Sequence, residues 1–207
     1  MSIIISLIMY KIECYVIEKH CDKLTKLMKI GMLMSNIVIN AVIINKYGFD
    51  IYSIKWITFS FILFVIGIID LCTLNVYRSM IIVGITLGGI FCFIISLYKG
   101  ISIFDNIFGG ALGYSIFFII EIISKGIGNG DKDIALLYGI FLGSQKILLS
   151  IYISFIIGGI VSVILIVLKM KNRKDEMAYT PYLGIGCMLS MVFGDCLISE
   201  YIHYLTI

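Results

Sequence analysis

Apolar runs long enough to cross a lipid bilayer decide what this chain can fold into. A spanning helix takes about 20 predominantly apolar residues, and the sequence holds several such runs separated by short polar stretches. Apolar residues make up 60% of the chain and charged residues 14%, which leaves no room for a sizeable soluble domain. The pattern predicts an all-α polytopic membrane protein with about 6–8 transmembrane helices, residues 1–207 forming one membrane-embedded domain.

Residues 1–18 are apolar but interrupted by Lys11, Glu13 and Glu18. They suit a short first span or an interfacial helix. They carry no small-residue cleavage site, which argues against a removable signal peptide. A short polar stretch completes an N-terminal segment, 1–29, ahead of a core at 30–207. Spans are expected from about Ile30 to Asn45, from about Ile54 to Asp70, over Met80–Tyr98, over Ile101–Ser124 and over Ser144–Leu168. A final span follows Pro181. Lys46 to Lys55 is expected to be a loop, with Tyr52 and Trp56 in an aromatic belt. Gly109, Gly110, Ala111 and Gly113 let helices approach closely.

Basic residues orient the chain. Lys19, Lys23, Lys26, Lys29, Arg78, Lys125, Lys132, Lys169, Lys171, Arg173 and Lys174 fall on one side, and Lys46, Lys55, Lys99 and Lys146 on the other. The positive-inside rule makes the first side cytoplasmic. The net charge of +3 gives no reason to expect nucleic acid as a partner. The six cysteines show no metal-ligand spacing and are expected to be small core residues. No metal site and no cofactor are expected.

The chemistry concentrates at residues 126–143, where glycines lead through Gly128 and Gly130 to Asp131 and an apolar helix follows at once. A carboxylate beside lipid is expensive and needs a function or a partner. The orientation above places Asp70 and Asp131 at cytoplasmic helix ends, which pairs them. Two close carboxylates share a proton, because repulsion and desolvation raise one pKa while the other group stays ionised. The ionised member can take a proton from water and the protonated member can polarise a peptide carbonyl. That is the chemistry of aspartyl proteolysis. Gly128 and Gly130 are expected to use positive φ to bend the backbone into the helix. His20 and His203 lie at opposite ends of the chain, so no serine or cysteine triad competes convincingly.

Gly128-Asn129-Gly130-Asp131 matches the Gly-x-Gly-Asp motif of membrane aspartyl proteases, and its context resembles the type IV prepilin peptidase family. Ile69-Asp70-Leu71 resembles the family's first aspartate, ending a span. Phe108–Gly113 resembles the small-residue stretch before the second aspartate, and Leu136–Gly143 the helix after it. Tyr179–Gly186 resembles the start of the last helix. The resemblance covers roughly residues 45–205. It implies Asp70 and Asp131 as catalytic residues, with Gly128, Gly130 and Asp133 in the active-site loop. It implies a prepilin or pseudopilin precursor as partner, cleaved at the cytoplasmic face of a bacterial cell membrane, in pilus assembly, competence or protein secretion. Tyr77 stands where the family usually has Pro. Asp133 stands where it usually has Lys, adding a third carboxylate. Members that also methylate carry two zinc-holding Cys-x-x-Cys pairs. This chain has none, so N-methylation is not expected. Two other readings use the same carboxylates: a small transporter or channel, and an inactive relative that binds pilins.

Overall fold

The computed structural model describes residues 2–21, 25–124, 128, 130–172 and 177–205. Lys23, Lys125, Asn129, Arg173 and Lys174, used above for charge and motif, lie outside them. The described residues form eight helices: α1 (Ser2–Glu18), α2 (Lys26–Tyr47), α3 (Ile51–Thr73), α4 (Arg78–Lys99), α5 (Phe104–Ser124), α6 (Asp131–Leu142), α7 (Ser144–Val167) and α8 (Thr180–Leu205). Six of them, α2–α5, α7 and α8, are long and apolar enough to cross a membrane. The chain is an all-α polytopic membrane protein.

Local chemistry sets the helix ends. Thr25 caps α2 by accepting from the Met28 N–H at 3.3 Å. Lys46 to Lys55 is not a loop. Asp50 caps α3 by accepting from the Ile51 N–H at 2.7 Å, so only residues 48–50 separate α2 from α3. Gly48 makes that turn possible at φ 66°. Gly48, Asp50 and the flanking lysines give the stretch the look of a loop. Lys46 instead lies in the last turn of α2, and Lys55 lies in α3, buried against the Trp56 ring. Trp56 is buried as well and does not lie in an outer belt.

Helix α3 is central. In its apolar window 56% of residues are buried, against 22–39% in the other five. It packs against α1, α2, α4 and α8. Helix α6 is too short to span, at 12 residues, yet Ile134, Ala135, Leu137, Tyr138 and Phe141 are fully buried. It fills the space between α4, α5, α7 and α8, and its aromatic rings meet Phe59 of α3. Residues 2–18 are helical. Helix α1 lies antiparallel to α2, joined through Asn36 to Glu13 at 2.6 Å and Asn40 to Ser6 at 3.0 Å. The outer faces of α4 and α7 expose Val83, Phe93, Leu97, Tyr152, Ile160 and Val163, a surface that suits lipid. Of the cysteines, Cys21, Cys92 and Cys187 are buried, while Cys196 is exposed.

Backbone proximity sets the depth of α6. A Cβ on Gly139 would strike the Gly109 carbonyl, so α5 and α6 touch backbone to backbone. The α6–α7 turn is made at Gly143, φ 82°, and is braced by Asp105, which accepts from the Ser144 N–H at 3.3 Å. The other end of α6 then sits beside the C-terminal end of α3 and the start of α8.

Candidate active site

Two carboxylates meet at that end of the bundle. Asp70 lies one turn before the end of α3 and is 5% exposed. Asp131 opens α6 and is 9% exposed. Thr180, the first residue of α8, joins them. Its backbone N–H donates to Asp70 Oδ2 at 3.2 Å, and its hydroxyl donates to Asp131 Oδ1 at 3.3 Å. The other oxygen of Asp131 accepts from the Gly128 N–H at 3.1 Å. Residues 110 and 49 positions apart in sequence thus share one buried constellation.

The glycines act differently from expectation. Gly130 has φ −84°, and Gly128 is not among the positive-φ glycines. The turn is closed by hydrogen bonds instead: Asp131 N–H donates to Gly128 O, and Asp133 and Ile134 N–H groups donate to Gly130 O, each at 3.1 Å. A Cβ on Gly130 would lie 3.7 Å from Val76 Cβ, and one on Gly128 would lie 3.5 Å from Asp131 Oδ2. Both are ordinary contacts, so packing within the chain does not by itself demand glycine at either position.

The structure does not bring Asp133 into the pair. It lies two residues after Asp131, roughly 200° round the helix, and has no hydrogen bond to Asp70, Asp131 or Thr180 among the described residues. Arg78 makes no ion pair with Asp70 among the described residues. Lys132 pairs with Glu121 of α5 at 2.8 Å and flanks the site. Tyr77 packs its ring on His20, 4.6 Å between centroids, which brings the segment after α1 to the same end of the bundle as the α3–α4 loop.

Burial, and then the neighbouring Asp70 carboxylate, push Asp131 up to about 6, against the opposing pull of the Gly128 and Thr180 hydrogen bonds. The two carboxyls therefore titrate as an interacting pair. Beneath them the Tyr138 hydroxyl is fully buried with no hydrogen-bond partner among the described residues. Sequence reasoning singled out the Tyr179–Gly186 stretch but not the Thr180 bridge. The signal available was a hydroxyl residue immediately before the only proline in the chain, at the start of an apolar helix.

The type IV leader peptidase family model matches residues 57–163, a span that includes both aspartates. The chain belongs to the type IV leader peptidase family. It is 28% identical to a prepilin leader peptidase/N-methyltransferase of Pseudomonas aeruginosa over 109 residues, covering 50% of this chain and 38% of the relative. A Pseudomonas putida protein of the same description is 22% identical over 166 residues, covering 76% of this chain and 56% of the relative. One from Bacillus subtilis is 24% identical over 102 residues, covering 49% and 41%. The matches thus span roughly two fifths to just over half of these relatives' own lengths. No solved structure gives a significant match.

Proposed function

We propose that this chain is a membrane aspartyl endopeptidase that removes the leader peptide of type IV prepilins or pilin-like precursors, with Asp70 and Asp131 as its catalytic pair. The observation that carries this reading is the pair itself: two buried carboxylates on different helices, joined through Thr180 at one end of the bundle. The pair falls in the region that matches the family.

The chemistry runs through one shared proton. The ionised carboxylate takes a proton from a water molecule as its oxygen adds to the scissile carbonyl carbon. The protonated carboxyl hydrogen-bonds to the carbonyl oxygen and steadies the charge that develops there. Collapse of the tetrahedral intermediate breaks the C–N bond, and the nitrogen leaves with a proton from the pair. Gly128 and Gly130 leave the flank of Asp131 free of side chains, which suits close approach by an extended substrate backbone.

The cytoplasmic face is the proposed location. Lys19, Lys26, Lys29, Arg78, Lys132, Lys169 and Lys171 belong to the end that carries the pair, as the positive-inside rule requires of a cytoplasmic end. A bacterial cell membrane is the proposed setting. The proposal covers the peptidase reaction, which is the one the aspartate pair can carry.

Co-expression with a candidate prepilin tests the proposal. Intact mass should show loss of a leader-sized fragment with wild type and none with Asp70→Asn or Asp131→Asn, while each variant still inserts in the membrane. Full cleavage by either variant would remove that residue from the mechanism. Loss of the fragment together with an added methyl group would overturn the expectation that the chain does not methylate.

A further inference from the structure

Thr180 makes two chemically different hydrogen bonds, one to each carboxylate. The backbone N–H can only donate, so it fixes Asp70 Oδ2 as an acceptor. The hydroxyl can donate to an ionised Asp131 or accept from a protonated one, so it remains a partner in both states. Thr180 is fully buried, so water does not substitute for either bond.

The surroundings hold Thr180 rigidly. The ring of the preceding Tyr179 packs on Phe117 and Phe155, and its hydroxyl pairs with Ser154 of α7 at 2.5 Å. The Tyr179 carbonyl accepts from the Tyr182 and Leu183 N–H groups at 3.0 and 3.2 Å, closing the first turn of α8. Pro181 follows at a first-turn position where no N–H is needed. A Cβ on Gly67 would lie 3.7 Å from the Pro181 Cα, so α8 begins directly against α3, one turn before Asp70. Contacts from α3, α5 and α7 therefore fix where Thr180 sits.

We infer that Thr180 is a positioning residue that holds Asp70 and Asp131 in mutual register, its hydroxyl following Asp131 between protonation states. The inference rests on the proposed peptidase reading. It adds a third residue, from outside the two aspartate helices and outside the span that matches the family. The titratable groups whose fields meet Asp131 are Asp70 on α3, Tyr138 on α6 and Tyr179 ahead of α8. Lys132 and Glu121 pair with each other on its flank, and Asp133 and Arg78 stand at the same end.

The test compares Thr180→Val, which keeps the shape and the N–H but loses the hydroxyl, with Thr180→Ser, which keeps both hydrogen bonds. Loss of a hydrogen bond to a charged group should slow cleavage by Thr180→Val about 10- to 100-fold. The limb of its pH–rate profile that reports Asp131 should move to higher pH, since the hydroxyl favours the carboxylate when it donates. Thr180→Ser should restore the rate to within a few-fold and return the limb to its wild-type position. An unshifted profile in Thr180→Val, whatever its rate, overturns the inference, and so does a serine variant as defective as valine. Infrared pH titration of the Asp131 carboxyl, assigned by its loss in Asp131→Asn, reads the same shift without substrate. That arm separates failure of this inference from failure of the peptidase reading. Should valine prevent folding, Thr180→Ala takes its place in both arms.

Discussion

Asp131 carries an energetic cost in the folded chain. Its carboxyl titrates at about 6 instead of its ordinary 3.8, because burial and then Asp70 disfavour the anion. The folded chain therefore binds a proton more tightly than the unfolded chain. The cost is absent below pH 3.8, grows as pH rises, and is complete above about 6. A shift of about two units corresponds to about 3 kcal/mol at most. Asp131→Asn, which keeps the shape and meets Asp70 with a neutral amide, should raise Tm by about 5 °C at pH 7.5 and change it little near pH 4. Thermal unfolding in detergent at the two pH values checks this, and an equal effect at both would sever it from ionisation. Both carboxylates were legible in the sequence, since an acid beside an apolar run stands out. Their bridge was not. The one signal at Thr180 is its place just before the only proline in the chain, and its role arises only when α8 begins against α3 and α6. Asp133 is two residues from Asp131 along the chain, yet on a helix that separation places it roughly 200° away round the axis.

Helix α6 shows how an element shorter than the membrane can still be the centre of the fold. Its burial on most sides comes from its neighbours, and its contact with α5 depends on the absence of side chains at Gly109 and Gly139. Overpacking a close contact costs about 1–3 kcal/mol. Gly139→Val should therefore lower Tm by several degrees and slow cleavage, by moving α6 and Asp131 with it. Gly89→Val on α4 should do neither, because a Cβ there meets open space. Thermal unfolding together with cleavage rate compares the two; similar losses in both would argue against the close contact. The length of the apolar runs revealed the spans, and the run Gly109-Gly110-Ala111 pointed to close packing. The partner was hidden because a glycine on the opposing helix carries no hydrophobic signal. The α2–α3 turn was read too long for a related reason. Lys46 and Lys55 look like loop residues, but one lies in the last turn of a helix in an ion pair with Asp195 and the other is buried along an aromatic ring.

On the scale of the whole molecule, the chain assembles one polar site from distant segments at one end of an apolar bundle. The ends of α3, α5 and α7 and the starts of α4, α6 and α8 lie at that end. The proposed orientation places them at the cytoplasm. Single cysteines introduced at Asn75 and Ser102, in a chain whose native cysteines are replaced, should react differently with a membrane-impermeant maleimide in intact spheroplasts. Ser102→Cys should label from outside, and Asn75→Cys only after lysis; the reverse would invert the topology. The proposed orientation rests on the basic residues that gather in the loops, whereas the meeting of the loops had to come from helix packing. The most direct test of the central claim uses the purified chain in lipid nanodiscs with a full-length prepilin and no other protein. Wild type should release a leader-sized fragment, seen by mass, and neither Asp70→Asn nor Asp131→Asn should do so. Wild-type release of the fragment that persists in both variants would contradict the aspartate pair; an intact precursor with well-folded wild type would contradict the peptidase itself.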